Sequence, residues 1–145
     1  MLLGSRASAQ RADASGFRRF LGCYRLTLSS WSKPYEYPQP PRIFRLEARP
    51  TDTTDDGVTY RVVSPNPPGF GKFPPGWTLR GSDSVEVFWS TGYTGVTLRL
   101  VARAGVLTGR AQAFSDIVGP DIIEAIGSAR AARISCPVGL RDPGT

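Results

Sequence analysis

Apolar and polar residues alternate along most of this chain, most clearly over residues 20–31. There Tyr24, Leu26 and Leu28 interleave with Cys23, Arg25 and Thr27. A period of two marks a strand with one packed face and one wet face. The pattern returns. Residues 42–48 turn Phe44 and Leu46 inward and Arg45 and Glu47 outward, and residues 58–64 bring Val58, Tyr60 and Val62 inward. A short strand is predicted at 77–80. A longer one at 83–90 sets Val85, Val87 and Trp89 against Glu86 and Phe88. Residues 96–102 set Val96, Leu98 and Leu100 against Thr97 and Arg99. Residues 106–114 carry Leu107, Gly109, Ala111 and Ala113 on their inner face, and a last strand is predicted at 132–136. Before it, residues 120–126 read as a short helix. Pro120 suits the first helical position, Asp121 the positive end, and Gly127 a C-cap.

The links between these strands differ in kind. Asp56-Gly57 ends a polar turn at 50–57 and is a strong hairpin signal, and 81–82, 91–95 and 103–105 are short turns. Two links are long and stiffened by proline: 32–41 holds four and 65–76 holds five. Eight alternating strands with mostly short links predict an all-β fold. The expected architecture is an eight-stranded antiparallel up-and-down barrel with a short helix before the last strand. Such a meander sorts its connections. One end gathers 32–41, 65–76, 91–95 and 115–131; the other gathers 49–57, 81–82 and 103–105.

Composition adds limits. A chain of 145 residues is one domain by length. The barrel is expected over 19–138, with 1–18 a signal-peptide remnant and flexible tail and 139–145 a C-terminal tail. The net charge is +6, and of 18 basic residues only Lys33 and Lys72 are lysines. Such a balance can serve an anionic partner. The arginines come one per strand (Arg25, Arg45, Arg61, Arg99, Arg110), without the patch that marks a nucleic-acid footprint. A solvated outer face is therefore expected, with no nucleic-acid partner. No run approaches the ~20 apolar residues of a membrane-spanning helix.

The chain has no histidine and two cysteines. Absence of histidine removes the His-based triad, the His general base and the His metal ligand. Cys23 and Cys136 lie near opposite ends of the barrel sequence, too far apart for a metal knuckle or a redox pair. The expectation is a disulfide in an oxidising compartment, the alternative being two buried thiols. Cys23 falls on the wet face of its strand, whereas Cys136 shares the parity of Ile134. Either the last strand is read one residue wrong, or Cys136 sits past its regular end. Ala7-Ser8-Ala9 fits a signal-peptidase site, although Met1-Leu2-Leu3 is too short for the apolar region before it. Together these favour a periplasmic or extracellular location.

No catalytic or metal-binding residues are expected. Gly69-Phe70-Gly71-Lys72 lacks the spacing of a phosphate loop, and Asp52, Asp55 and Asp56 lack the oxygen pattern of a calcium loop. Inward positions are nearly all apolar, so the chain is expected not to be an enzyme and to need no cofactor. The more informative feature is the asymmetry of the two ends. The proline-rich end is aromatic, carrying Trp31, Tyr35, Tyr37, Phe70, Phe73, Trp77 and Tyr93. Long aromatic loops around a barrel mouth favour a binding site. They can equally fold over and fill the barrel, as small barrels are often filled. Gly109, Ala111 and Ala113 would leave space on one wall.

Gly22-Cys23-Tyr24 on the first strand and Arg133 on the last resemble the calycin superfamily, the lipocalin and fatty-acid-binding-like barrels. There a Gly-x-Trp on the first strand packs against an arginine of the last; Tyr24 stands here in place of the Trp. The resemblance spans about residues 19–138. It implies transport or sequestration of a small apolar or aromatic molecule. The expected lining is Tyr24, Leu26, Phe44, Tyr60, Val62, Trp77, Val87, Trp89, Leu98 and Ala111. The expected mouth is Tyr35, Tyr37, Phe70, Phe73 and Tyr93, with Lys33 or Lys72 to meet an anionic head. The rival expectation is a structural or accessory subunit that docks on a larger assembly through loops 32–41 and 65–76, because exposed aromatics also anchor protein interfaces.

Overall fold

The computed structural model describes residues 16–34, 39–65, 73–115 and 123–141. Eight strands follow in chain order: β1 (Gly22–Leu28), β2 (Ile43–Thr54), β3 (Gly57–Val63), β4 (Gly76–Leu79), β5 (Ser84–Ser90), β6 (Thr94–Arg103), β7 (Val106–Ser115) and β8 (Ile123–Ile134). Each is antiparallel to the next, and β8 returns to pair with β1, so the sheet closes as an up-and-down barrel. A 3-10 turn, Val138–Leu140, follows β8. Among the described residues no helix is long and apolar enough to cross a membrane.

The strand parity read from the sequence holds. Tyr24, Leu26, Phe44, Leu46, Val62, Val85, Val87, Trp89, Val96, Leu98, Leu100, Leu107 and Ala111 are buried in one cluster. Outward residues between them are exposed or half-buried, and two of these, Phe88 and Phe114, lie over glycines. Gly76 stands opposite Phe88 and Gly95 opposite Phe114. A Cβ on either glycine would meet the facing ring inside 3 Å.

Three local expectations are corrected. Residues 123–126 are not helical; they begin β8, which runs well ahead of residue 132. Their backbone pairs with β7 from Phe114↔Ile123 onward, and further along β8 is also laddered to β1 from Leu28↔Ala129 onward. Residues 120–122 of the expected helix lie outside the described residues. Secondly, the 50–57 turn is shorter than expected. β2 stays paired with β3 out to Thr54↔Gly57, and Pro50 is accommodated at a register shift, where the ladder is already interrupted. Thirdly, of the small residues expected to leave space on one wall, Ala111 and Ala113 are fully buried and Gly109 is half-buried.

Cys23 and Cys136 form a disulfide across a sequence separation of 113. The parity conflict resolves by the second of its two readings: β8 ends at Ile134, so Cys136 lies beyond the regular strand. Cys23 points outward yet is buried. The chain after β8 folds back over this patch, burying Leu140, whose carbonyl accepts a hydrogen bond from Arg45 Nη1 at 2.9 Å. Cys23 and Arg45 are direct cross-strand neighbours.

Candidate functional site

Among the described residues, the N-terminal segment closes one end of the barrel. Residues 16–18 are helical, and Phe17 and Phe20 pack into the base. Phe17 stacks on Trp77 with ring centroids 5.1 Å apart and leans on Tyr60 at 4.3 Å. Phe17 therefore packs with the barrel, although it lies in the stretch read as a tail. Tyr24 donates its hydroxyl hydrogen to the Phe20 carbonyl at 2.8 Å. Arg133 holds the same corner from β8. Its guanidinium lies 5.0 Å from the Tyr24 ring centroid, donates to the Tyr24 hydroxyl at 2.8 Å, and donates to the carbonyls of Leu21 and Arg19. Gly22 has φ +131°, and Arg133 Nη1 stands 2.6 Å from where its Cβ would be, so the position needs glycine on two counts. Burial raises the Tyr24 pKa above its ordinary 10.0, and the charge and hydrogen bond of Arg133 partly oppose that rise.

Most of the expected lining residues fill the interior themselves. Tyr24, Leu26, Phe44, Val62, Trp77, Val87, Trp89, Leu98 and Ala111 are all buried in the core cluster, and Tyr60 packs against it. Phe44 lies between Tyr24 and Trp89, with centroids 5.7 and 5.5 Å away. The wall expected to be spacious is made of β7 and β8, where Ala111, Ala113, Ala125, Ala129 and Ala131 are buried. Large rings on the other strands and small residues on this wall complement each other in volume, as interdigitated cores require. Trp77 Nε1 donates to the Glu47 carbonyl at 2.9 Å, so the largest inward ring is also satisfied at its polar edge.

The other end is the aromatic one. Tyr93 is 70% exposed at the β5–β6 turn and Phe73, just before β4, is 47% exposed. They are neighbours: the Phe73 ring sits on Gly92 (φ +97°), where any Cβ would strike it. The turn beneath Tyr93 is stiff. Thr91 N donates to the Thr94 carbonyl at 2.8 Å, Gly92 N to Ser90 Oγ at 3.0 Å, and Thr94 N to Thr91 Oγ1 at 3.1 Å. Across the rim, residues 29–32 zip onto β8. Ser29 N donates to the Ser128 carbonyl and Ser32 N to that of Ile126, while both serine hydroxyls accept from β8 amides. Trp31 Nε1 donates to Gln39 Oε1 at 2.9 Å. Exposed Ile126 completes this edge. Tyr35, Tyr37, Phe70 and Lys72, together with the Ala7-Ser8-Ala9 site, lie outside the described residues.

Sequence reasoning missed Phe17 as part of the base, because it lies in the stretch read as a tail, and gave Phe20, the first residue of the alternating stretch, no role there. It also missed a grouping of charge. Arginines spaced one per strand come together when adjacent strands align: Arg99 and Arg110 are directly opposite one another. No protein-family model, curated protein or solved structure matches this chain.

Proposed function

We propose that this chain is a calycin-like barrel that serves as a non-catalytic docking module, presenting its aromatic end to a protein partner in an oxidising, extracytoplasmic compartment. One observation carries the reading. Among the described residues, three of the four exposed large hydrophobics (Phe73, Tyr93 and Ile126) stand at the same end of a barrel whose interior is filled. Exposed aromatics on a hydrogen-bonded turn lose little freedom on binding, which is what an interface anchor needs. The disulfide is compatible with such a compartment. The Tyr24–Arg133 corner supports calycin kinship, since it joins the first and last strands as the resemblance implies.

A second reading is a carrier of a small apolar molecule held at the same aromatic end. It is favoured by the closed base, which leaves that end as the mouth. Native mass spectrometry of the unreduced protein from its own source separates the two. The docking reading expects a complex of fixed stoichiometry with a protein, lost when Phe73 and Tyr93 are both changed to Ser. A monomer carrying a small-molecule mass would overturn it in favour of the carrier.

A further inference from the structure

Charge is unevenly divided around the barrel. β1, β6, β7 and β8 hold six arginines (Arg25, Arg99, Arg103, Arg110, Arg130 and Arg133) and one acid, Glu124. The acids of β2 to β5 and their short turns are Glu47, Asp52, Asp55, Asp56, Asp83 and Glu86. Register turns the arginine half into a stripe. Arg99 faces Arg110, Arg130 lies two residues along from the partner of Arg110, and Arg25 two residues along from the partner of Arg130. Like charges directly opposed on a sheet destabilise it. Among the described residues Arg25, Arg103, Arg110 and Arg130 have no hydrogen-bond or ion-pair partner.

At the closed end this half contains a concavity of about 260 Å³. Three arginines line it, Arg19, Arg103 and Arg133, together with Phe20, Tyr24 and Leu107. No acid lines it. The nearby Asp83 carboxylate accepts from its neighbour Ser82 Oγ at 2.9 Å. Arg19 is positioned by one hydrogen bond to the Ser82 carbonyl at 2.7 Å and Arg133 by its three bonds at the base, so both keep donors unspent. The rim is the two-residue β6–β7 turn, with Ala104 at φ 51° and Gly105 at φ 79°. Such turns favour Asn, Asp or Gly at the first position; Ala104 accepts the strain and keeps the rim free of a carboxylate.

The geometry points to a binding site for a small oxyanion, a phosphate or sulfate group, in this concavity. Guanidinium forks match tetrahedral oxyanions with paired hydrogen bonds. The stripe beside the pocket, in which Arg99 is ion-paired with Glu86 at 3.7 Å while Arg25, Arg110 and Arg130 are not, raises the local concentration of anions. The site lies at the opposite end from the proposed docking rim and does not depend on it.

Isothermal titration of the unreduced protein with inorganic phosphate, sulfate and glycerol phosphate, at ionic strength held constant with sodium chloride, tests the site. Saturable one-to-one binding is expected. Arg103→Ala should weaken it about tenfold or more, the loss of one charged hydrogen-bonding group. Arg61→Ala, which removes an equal charge from a residue paired with Glu47 on the other half, should leave it unchanged. Vesicles of phosphatidic acid distinguish the source. Vesicle binding without binding of the soluble ions, still lost in Arg103→Ala, would assign the pocket to a lipid headgroup. Absence of saturable binding to ions and vesicles alike, or equal weakening by Arg103→Ala and Arg61→Ala, would overturn the site.

Discussion

The Tyr24 hydroxyl donates to one backbone carbonyl and accepts from one arginine, so a single atom ties β1 to the base segment and to β8. This makes it sensitive to pH. Burial raises its pKa above 10.0, which means the folded state favours the neutral phenol. A group with a raised folded pKa stabilises fully below its unfolded pKa, and that contribution is lost as pH rises through the folded value. Stability should therefore be flat through neutrality in this respect and fall above about pH 10. Tyr24→Phe should cost about 1–3 kcal/mol at neutral pH, because it leaves the buried Phe20 carbonyl without its donor. Its decline above pH 10 should also be shallower than that of the wild type. Urea unfolding between pH 7 and pH 11 checks both, and parallel curves for the two proteins would refute the assignment.

At the scale of elements, the disulfide joins β1 to the chain just past β8, the two strands that closure makes neighbours. Closing so long a loop should stabilise the fold by about 4–5 kcal/mol in the chain-entropy model. The double variant Cys23→Ser, Cys136→Ser should show a loss of that order in urea, while reducing agent added to it changes nothing further. A loss below about 1 kcal/mol would mean that the base segment and the C-terminal turn already hold the ends together. The elements also show what could be read from sequence. β1, β5, β6 and β7 were legible because alternation of Val, Leu and Trp with polar residues reports a half-buried strand directly. β8 was legible only at its end. Residues 125–132 are almost all alanine, glycine or serine apart from Ile126 and Arg130, and their strand state is set by two flanking ladders instead of by their own preference. The interior of the site failed for a related reason. Ala111 and Ala113 suggest a void only while the packing around them is unknown; both are fully buried, and Ala111 belongs to the same core cluster as Trp77, Trp89 and Phe44. The arginine stripe was invisible in the linear sequence because neighbouring strands, not neighbouring residues, bring its members together.

For the whole molecule, closure removes every free sheet edge, so any opening must begin by breaking a seam. The seams are unequal. β6 and β7 stay in register from Thr94↔Ser115 to Arg103↔Val106, and β7 and β8 pair along nearly all of their length. By contrast β3 and β4 meet only at Tyr60↔Trp77 and Arg61↔Gly76, with one further bond from Val62 N to the Pro75 carbonyl. β1 and β2 meet from Gly22↔Leu46 to Arg25↔Ile43, after which prolines 40 and 41 supply no N–H to continue the ladder. The disulfide and Arg133 guard the β1–β8 seam. Opening should therefore start between β3 and β4, freeing β4 while the β6–β7–β8 sheet and its attachment to β1 persist. Native-state hydrogen exchange reads this order. Amides of β6, β7 and β8 should exchange only by global unfolding, and those that pair β4 with β3 by a sub-global opening of lower free energy. Equal protection across all eight strands would show that the packed rings of Trp77 and Phe17 close the short seam as firmly as a full ladder does.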